Sequence, residues 1–283
     1  MSYTYLTAIF VIIVGFSVYP LISKKYIGNV GYKKFIPIFL GFSAVGTLLI
    51  PFIAYRSFVF DLAYIPLLAL LGAMYAFAMY LTLYSIEHYN ISIIYTILST
   101  QQVLIALFSG VFFFIFELKT IALPFLVVMA GVLFLLFDES GKARFSKYVV
   151  FTLIAVFVWV FMWVLFYTIN TSFPLLYYAV LQSFAFLFCL PVALLQNKHK
   201  SIRYYLSDKK FKYIVLAGIL NGVATATFSF AYKFNAILTP FVAQLCVPIV
   251  VIASFLFLKD RTKKFGLIGI TLIILGSFLY ILI

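Results

Sequence analysis

Charge is scarce in this chain of 283 residues: only 10% of them are Asp, Glu, Lys or Arg, and seven are acidic. A soluble domain is about a quarter charged and about half apolar. Here the apolar share is 66% and the mean hydropathy is +1.20. That excludes a soluble enzyme, a disordered chain and a nucleic-acid module. Cysteine and histidine are scarcer still, with two of each. Cys189 and Cys246 sit in apolar runs and read as small, reduced apolar fillers. With His88 and His199 they form no metal cluster at any usual spacing, so neither a metal nor another cofactor is expected. No G-x-x-x-x-G-K-[ST] occurs, so the chain is not expected to use ATP itself. The acids Asp61, Glu87, Glu117, Asp138, Glu139, Asp208 and Asp260 are scattered and form no spaced pair within one helix, which argues against catalysis.

Long apolar runs are what remains. A helix that crosses a bilayer takes about 20 apolar residues. Runs bounded by charges, Pro or Asn give ten candidate spans: 4–22, 36–55, 62–86, 91–115, 121–137, 148–169, 173–195, 213–232, 238–258 and 265–283. Lipid satisfies no backbone polar group, so spans are helices or closed barrels. Runs such as "VFFFIF" and "LIGITLIIL" lack the alternation of barrel strands. The expected fold is therefore an all-α membrane protein. The N-terminal run lacks a basic region and a small-residue cleavage site, and reads as a retained first span.

The polar stretch "DESGKARFSK" divides the chain into 1–137 and 148–283, with 138–147 as linker. Each part holds five spans, and the parts match in order. Gln101 precedes Glu117 by sixteen residues, as Gln244 precedes Asp260. "FSAVGTLLIP" aligns with "QSFAFLFCLP", pairing Ser43 with Ser183 and Pro51 with Pro191. Small residues four apart recur in the third span of each part (Gly72 and Ala76; Gly218 and Gly222), the spacing that lets membrane helices approach closely. An odd number of spans per part inverts the second against the first, which predicts two inverted five-helix repeats and a site near the midplane between them. Loops after odd-numbered spans hold seventeen Lys and Arg and those after even-numbered spans three. The net charge of +13 is thus an orientation signal rather than a nucleic-acid footprint, and it places both termini outside.

The two segments "FSGVFFFIFELKTIALPFLVVMAGVLFLL" and "VPIVVIASFLFLKDRTKKFGLIGITLIILGSFLYI" resemble the EamA-like branch of the drug/metabolite transporter superfamily. The second has the family's proline, an acid twelve residues on, and two glycines in the last helix: Pro248, Asp260, Gly269 and Gly276. Trp159 resembles the tryptophan of the family's first repeat helix, whereas Val14-Gly15 matches it only in part. No proline stands twelve residues before Glu117. The resemblance implies ten transmembrane helices in two inverted five-helix repeats, with the first, third, fourth, sixth, eighth and ninth helices around a central cavity. It also implies cytoplasmic termini, against which the loop charges weigh.

Polar groups within spans tend to face the bundle interior. Tyr95, Ser99 and Gln102 share one face of the fourth span, beside Gln101; Asn221 and Thr225, with Ser229, share a face of the eighth; Gln244 is the repeat mate of Gln101. Tyr80 and Tyr84 in the third span, and Trp163 and Tyr167 in the sixth, supply rings. These eleven residues are the expected substrate-binding set, although each amide or hydroxyl could instead join helices. Lys233 could be a counter-charge or could snorkel, and Glu87-His88 could exchange a proton or be a solvated loop group. Pro20, Pro51, Pro191 and Pro248 can kink helices.

The expected function is secondary transport of a small polar metabolite, amino acid-like or otherwise neutral or zwitterionic, by alternating access. The alternatives are a membrane-embedded enzyme or flippase acting on a lipid-linked substrate, or a nucleotide-sugar-type transporter. The expected setting is a multi-pass protein of a prokaryotic plasma membrane. Its partners would be a small-molecule substrate and the bilayer, as monomer or homodimer.

Overall fold

The computed structural model describes residues 3–54, 60–113, 118–136, 146–169, 172–196, 210–259 and 264–282. Glu117, Asn170, His199, Asp260 and linker residues 138–145 lie outside the described residues. The helices are α1 (Tyr3–Val30), α2 (Tyr32–Ala54), α3 (Ile65–His88, after a 3-10 turn at Leu62–Tyr64), α4 (Ile91–Phe113), α5 (Leu118–Leu136), α6 (Lys147–Thr168), α7 (Pro174–Gln196), α8 (Phe211–Phe234), α9 (Leu238–Ala243), α10 (Cys246–Leu258) and α11 (Lys264–Leu282). No strand occurs among the described residues. Eight segments are long and apolar enough to cross a membrane, α9 and α10 counting as one. α5 and α11 hold shorter apolar stretches, Ala122–Phe134 and Gly266–Gly276.

Local chemistry sets the helix ends. Ser146 accepts the Tyr148 N–H, Asn90 the Ile93 N–H and Asn235 the Leu238 N–H at 2.8 Å, each filling a helix-start donor. The polar stretch 24–35, expected as a loop, is instead helical up to Val30 and turns only at Gly31. Gly31 has φ +81°, a left-handed conformation that glycine takes at no steric cost, and its N–H closes the helix on the Ile27 carbonyl. Lys24 stays in the helix and donates from Nζ to the carbonyls of Ile86 and Tyr89 at the end of α3.

The ninth span keeps its expected bounds, Leu238–Leu258, but it is not one continuous helix: it is broken at Gln244 and Leu245. Pro248 is the cause. It has no N–H for the Gln244 carbonyl, and its ring clashes there. The Val247 N–H takes that carbonyl instead, at 2.9 Å. Pro20, Pro51 and Pro191 all lie inside uninterrupted helices.

Polarity is arranged inside out. Phe257 is 80% and Phe10 67% exposed, while Asn221 and Gln182 are buried. Water would reverse this; a bilayer selects it, because tails welcome the rings and cannot hydrogen-bond the amides. The principal packing runs between the two parts of the chain. α8 packs on α1 and α2, α3 on α6 and α7, α2 on α7, α4 on α6, α1 on α10, and α5 on α11.

The small residues mark the closest approaches. A Cβ on Gly218 would meet the Phe39 carbonyl of α2, and one on Gly222 would fall on the Ser43 carbonyl oxygen. Gly72 stands against Leu181 and Phe184 of α7 in the same way. Gly222→Ala should therefore cost about 1–3 kcal/mol of stability and lower the melting temperature in detergent. Gly28→Ala, where a Cβ meets nothing within 4 Å, should be neutral or slightly stabilising. Equal melting of the two variants would show that the α2–α8 approach is looser than described.

Candidate functional site

Tyr75, on α3, and Asn221, on α8, meet at the centre of the bundle. Asn221 donates from Nδ2 to the Tyr75 hydroxyl at 2.8 Å and to Ser43 Oγ of α2 at 2.9 Å. Ser43 in turn lies 3.4 Å from Gln182 Oε1 of α7, and Gln182 Nε2 donates to the Tyr178 hydroxyl at 3.1 Å. Four helices are thus tied by one buried chain of hydrogen bonds. The partner of Ser43 is Gln182; Ser183, its aligned mate in sequence, turns back to the Ala179 carbonyl.

A cavity opens beside this knot, with about 640 Å³ of empty space including its mouth. α4 contributes Tyr95, Ser99, Gln101 and Gln102; α6 contributes Trp159 and Trp163; α8 contributes Asn221, Thr225 and Phe228. Gln244 and Cys246 come from the break between α9 and α10. α1 adds Phe16 and Tyr19, and α3 adds Tyr75, Met79 and Thr82. Among the described residues, no Asp, Glu, Lys, Arg or His is in this lining.

Neighbours hold the lining in place. The Tyr95 hydroxyl donates to the Phe16 carbonyl and lies 3.4 Å from Cys246 Sγ, joining α4 to α1 and α10. Gln244 Nε2 donates to the Ser99 carbonyl at 3.0 Å. Thr225 returns its hydroxyl to the Asn221 carbonyl, and Ser99 to that of Thr96. Trp163 stacks on Tyr178 with centroids 5.2 Å apart and meets Phe228 edge-on, and Trp159 stands edge-on to Tyr75 at 4.5 Å. Gln101, Gln102 and Gln244 keep their Oε1 atoms, and Thr82 its hydroxyl, buried with no hydrogen-bond partner among the described residues.

Eight of the eleven expected residues come together here: Tyr95, Ser99, Gln101, Gln102, Trp163, Asn221, Thr225 and Gln244. Tyr80, Tyr84 and Tyr167 do not. Tyr80 and Tyr84 lie five and nine residues beyond Tyr75, about 140° and 180° around the helix from the lining face. Tyr84 packs instead with Tyr32, His88 and Tyr148, and Tyr80 with Tyr32. The helical offsets of Tyr75, Met79 and Thr82 would have identified the right face. Tyr167 stands at the end of α6 beside Tyr232, with Lys233 Nζ 4.9 Å above its ring. Lys233 is not a cavity counter-charge: it donates to the carbonyls of Tyr167 and Ile169, where a cation complements the helix C-terminus. Glu87 and His88 also lie away from the cavity, at the end of α3, where His88 stacks on Tyr148 and donates from Nδ1 to the Tyr84 carbonyl at 2.9 Å. Cys246, read from sequence as filler, and Phe16, Tyr19 and Phe228 join the lining from positions that carried no polar signal.

Residues 146–282 match the family model of the EamA-like transporter family. The matched part is just under half of the chain, and through it the chain is similar to that family. The eight segments long and apolar enough to cross a membrane are those of an integral, multi-pass membrane protein, and the matched family is one of transporters. One solved crystal structure is similar at a TM-score of 0.68 and 15% identity, over 100% of this chain and 98% of that one. At that identity the likeness shows the fold alone. No curated protein matches the chain.

Asn221→Ala should lower the melting temperature by the equivalent of about 1–2 kcal/mol, because it leaves the Ser43 and Tyr75 hydroxyls without their shared donor. The same variant with Tyr75→Phe should cost less than the sum of the two single changes, since both remove one hydrogen bond. Strict additivity in a thermal denaturation series would show that the two groups do not interact.

Proposed function

We propose that the protein is a secondary transporter that carries a small, neutral or zwitterionic polar metabolite across the membrane by alternating access. The observation that carries this reading is the cavity itself. It lies where both parts of the chain meet, it is lined by amides, hydroxyls and aromatic rings, and no ionised side chain is in its lining. A strongly anionic substrate would want a basic pair there, so a nucleotide sugar fits poorly.

The packing supports two inverted repeats, 1–137 and 148–283, with 138–147 between them. If each span is exchanged for the one five places along, α1 against α8 becomes α6 against α3. By the same exchange α2 against α8 becomes α7 against α3, and α4 against α6 becomes α10 against α1. All six of these pairs are packed. The pairs α2–α7 and α5–α11 map onto themselves, and both are packed as well. In this reading α5 and α11 are the fifth and tenth spans, the site lies between the repeats, and the repeats rock about it. Loop charge places the odd-numbered loops in the cytoplasm and the termini outside.

Two measurements test these statements. In proteoliposomes without ATP, preloading with the true substrate should drive uptake of its labelled form, and N-ethylmaleimide should block that exchange in a Cys189→Ser background by reacting with Cys246. Exchange that survives stoichiometric modification of Cys246 would place the pathway elsewhere. A single cysteine added near residue 235 should react with an impermeant maleimide in intact cells, and one added near residue 28 only after the membrane is permeabilised. The reverse pattern would overturn the orientation.

A further inference from the structure

We infer that the cavity recognises an ammonium group, held by the amide oxygens of Gln102 and Gln244. This deepens the transporter reading and rests on it. Gln102 and Gln244 are more than nine-tenths buried, both line the cavity, and the Oε1 atom of each is shut from solvent without a hydrogen-bond partner among the described residues. Gln101 Oε1 on α4 and the Thr82 hydroxyl on α3 share that condition in the same lining. The orientation of the Gln244 amide is fixed by its own nitrogen, which donates to the Ser99 carbonyl, so the outstanding atom is the oxygen.

Buried polar atoms nearly always have partners, and an orphaned one forfeits its whole desolvation energy. Several orphaned oxygens around one cavity are a set of acceptors waiting for donors. A primary ammonium carries three N–H donors. Its hydrogen bonds to amide oxygens are charge-assisted, and the rings of Trp159, Trp163, Tyr75 and Phe228 in the same lining add attraction between cation and aromatic face. A complementary positive charge is not provided for: among the described residues no lysine, arginine or histidine is in the lining, and Asn221 has already given its amide N–H groups to Ser43 and Tyr75. Of a zwitterion, then, the cavity reads the ammonium end, and a carboxylate alone is a poor ligand.

A matched series on the purified full-length protein tests this by thermal shift and calorimetry. The probes are 3-methylbutylamine, L-leucine, 4-methylpentanoate and the N,N,N-trimethyl derivative of the amine. The amine and the amino acid should bind, and the acid and the trimethyl compound should bind at least tenfold more weakly, one lacking nitrogen and the other lacking N–H donors. Gln102→Leu should weaken the amine by about ten- to a hundredfold, the span of one hydrogen bond to a charged group. It should leave the unliganded melting temperature unchanged or higher, because the oxygen it removes has no partner. Gln102→Glu should tighten the amine and release 4-methylpentanoate completely.

If the acid or the trimethyl compound binds as well as the amine, the inference fails while the transporter reading stands. If Gln102→Leu melts clearly lower and binds normally, the amide is structural and the inference fails. If no amine binds but another solute class exchanges in proteoliposomes, the ammonium assignment alone is lost. If nothing binds or exchanges, both readings fall.

Discussion

One side-chain amide, that of Asn221, carries the constraint on which the rest of the structure depends. Lipid supplies no hydrogen bonds, so a polar side chain within a span must find its partners inside the bundle. Asn221 finds two, on α2 and α3, and the chain of bonds continues through Gln182 to Tyr178 on α7. These bonds reach only because the backbones are close, and they are close because Gly218 and Gly222 bring α8 onto Phe39 and Ser43 without side chains between them. The glycines and the amide thus enforce one geometry. Dispersion contacts can slide; a buried hydrogen-bond network cannot slide without leaving polar atoms unmatched, which is the costly state in a membrane interior.

That logic explains what the sequence made legible. Span positions follow from apolar length, and the ends of most helices agreed with expectation to within a few residues because charges and caps mark them. The small-residue spacing in the third and eighth spans pointed to close packing, and both sites are close approaches. Eight polar or aromatic side chains expected at a central site share one cavity because polarity inside a span is expensive enough to be informative. Aromatic residues carried no such signal. In a chain where one residue in five is aromatic, Tyr80 and Tyr75 look alike in sequence, and only the helix rotation distinguishes the ring that meets Asn221 from the ring that meets Tyr32. Likewise nothing in the apolar run 238–258 except Pro248 announced a break, and three other prolines are absorbed without one.

The two lysines outside the cavity repeat the lesson at the helix ends. Lys24 on α1 closes the carbonyl end of α3, and Lys233 on α8 closes that of α6. In the pairing of spans five apart, these are matching pairs of helices with donor and acceptor exchanged. A helix C-terminus presents unsatisfied carbonyls and partial negative charge, and an ammonium on a long stem reaches it readily. Each lysine is therefore spent on backbone rather than on a ligand, which is why a cation in an apolar run need not mark a binding site.

The walls of the cavity differ in the same currency. On the side of α2, α3, α7 and α8 the network leaves the Asn221, Ser43 and Gln182 side chains matched to one another. On the side of α4 and the α9–α10 break, Gln101, Gln102 and Gln244 hold unmatched oxygens, while hydrogen bonds from Gln244 to the Ser99 carbonyl and between the Ser92 and Ser254 hydroxyls tie α4 to the broken span. Moving the first wall would orphan groups that are now satisfied. Moving the second would also break the bonds of Gln244, Ser92 and Tyr95, but it would open oxygens that already lack partners. The unpartnered oxygens are thus concentrated on the side of α4 and the broken span, where donors from a ligand would be gained without displacing existing partners.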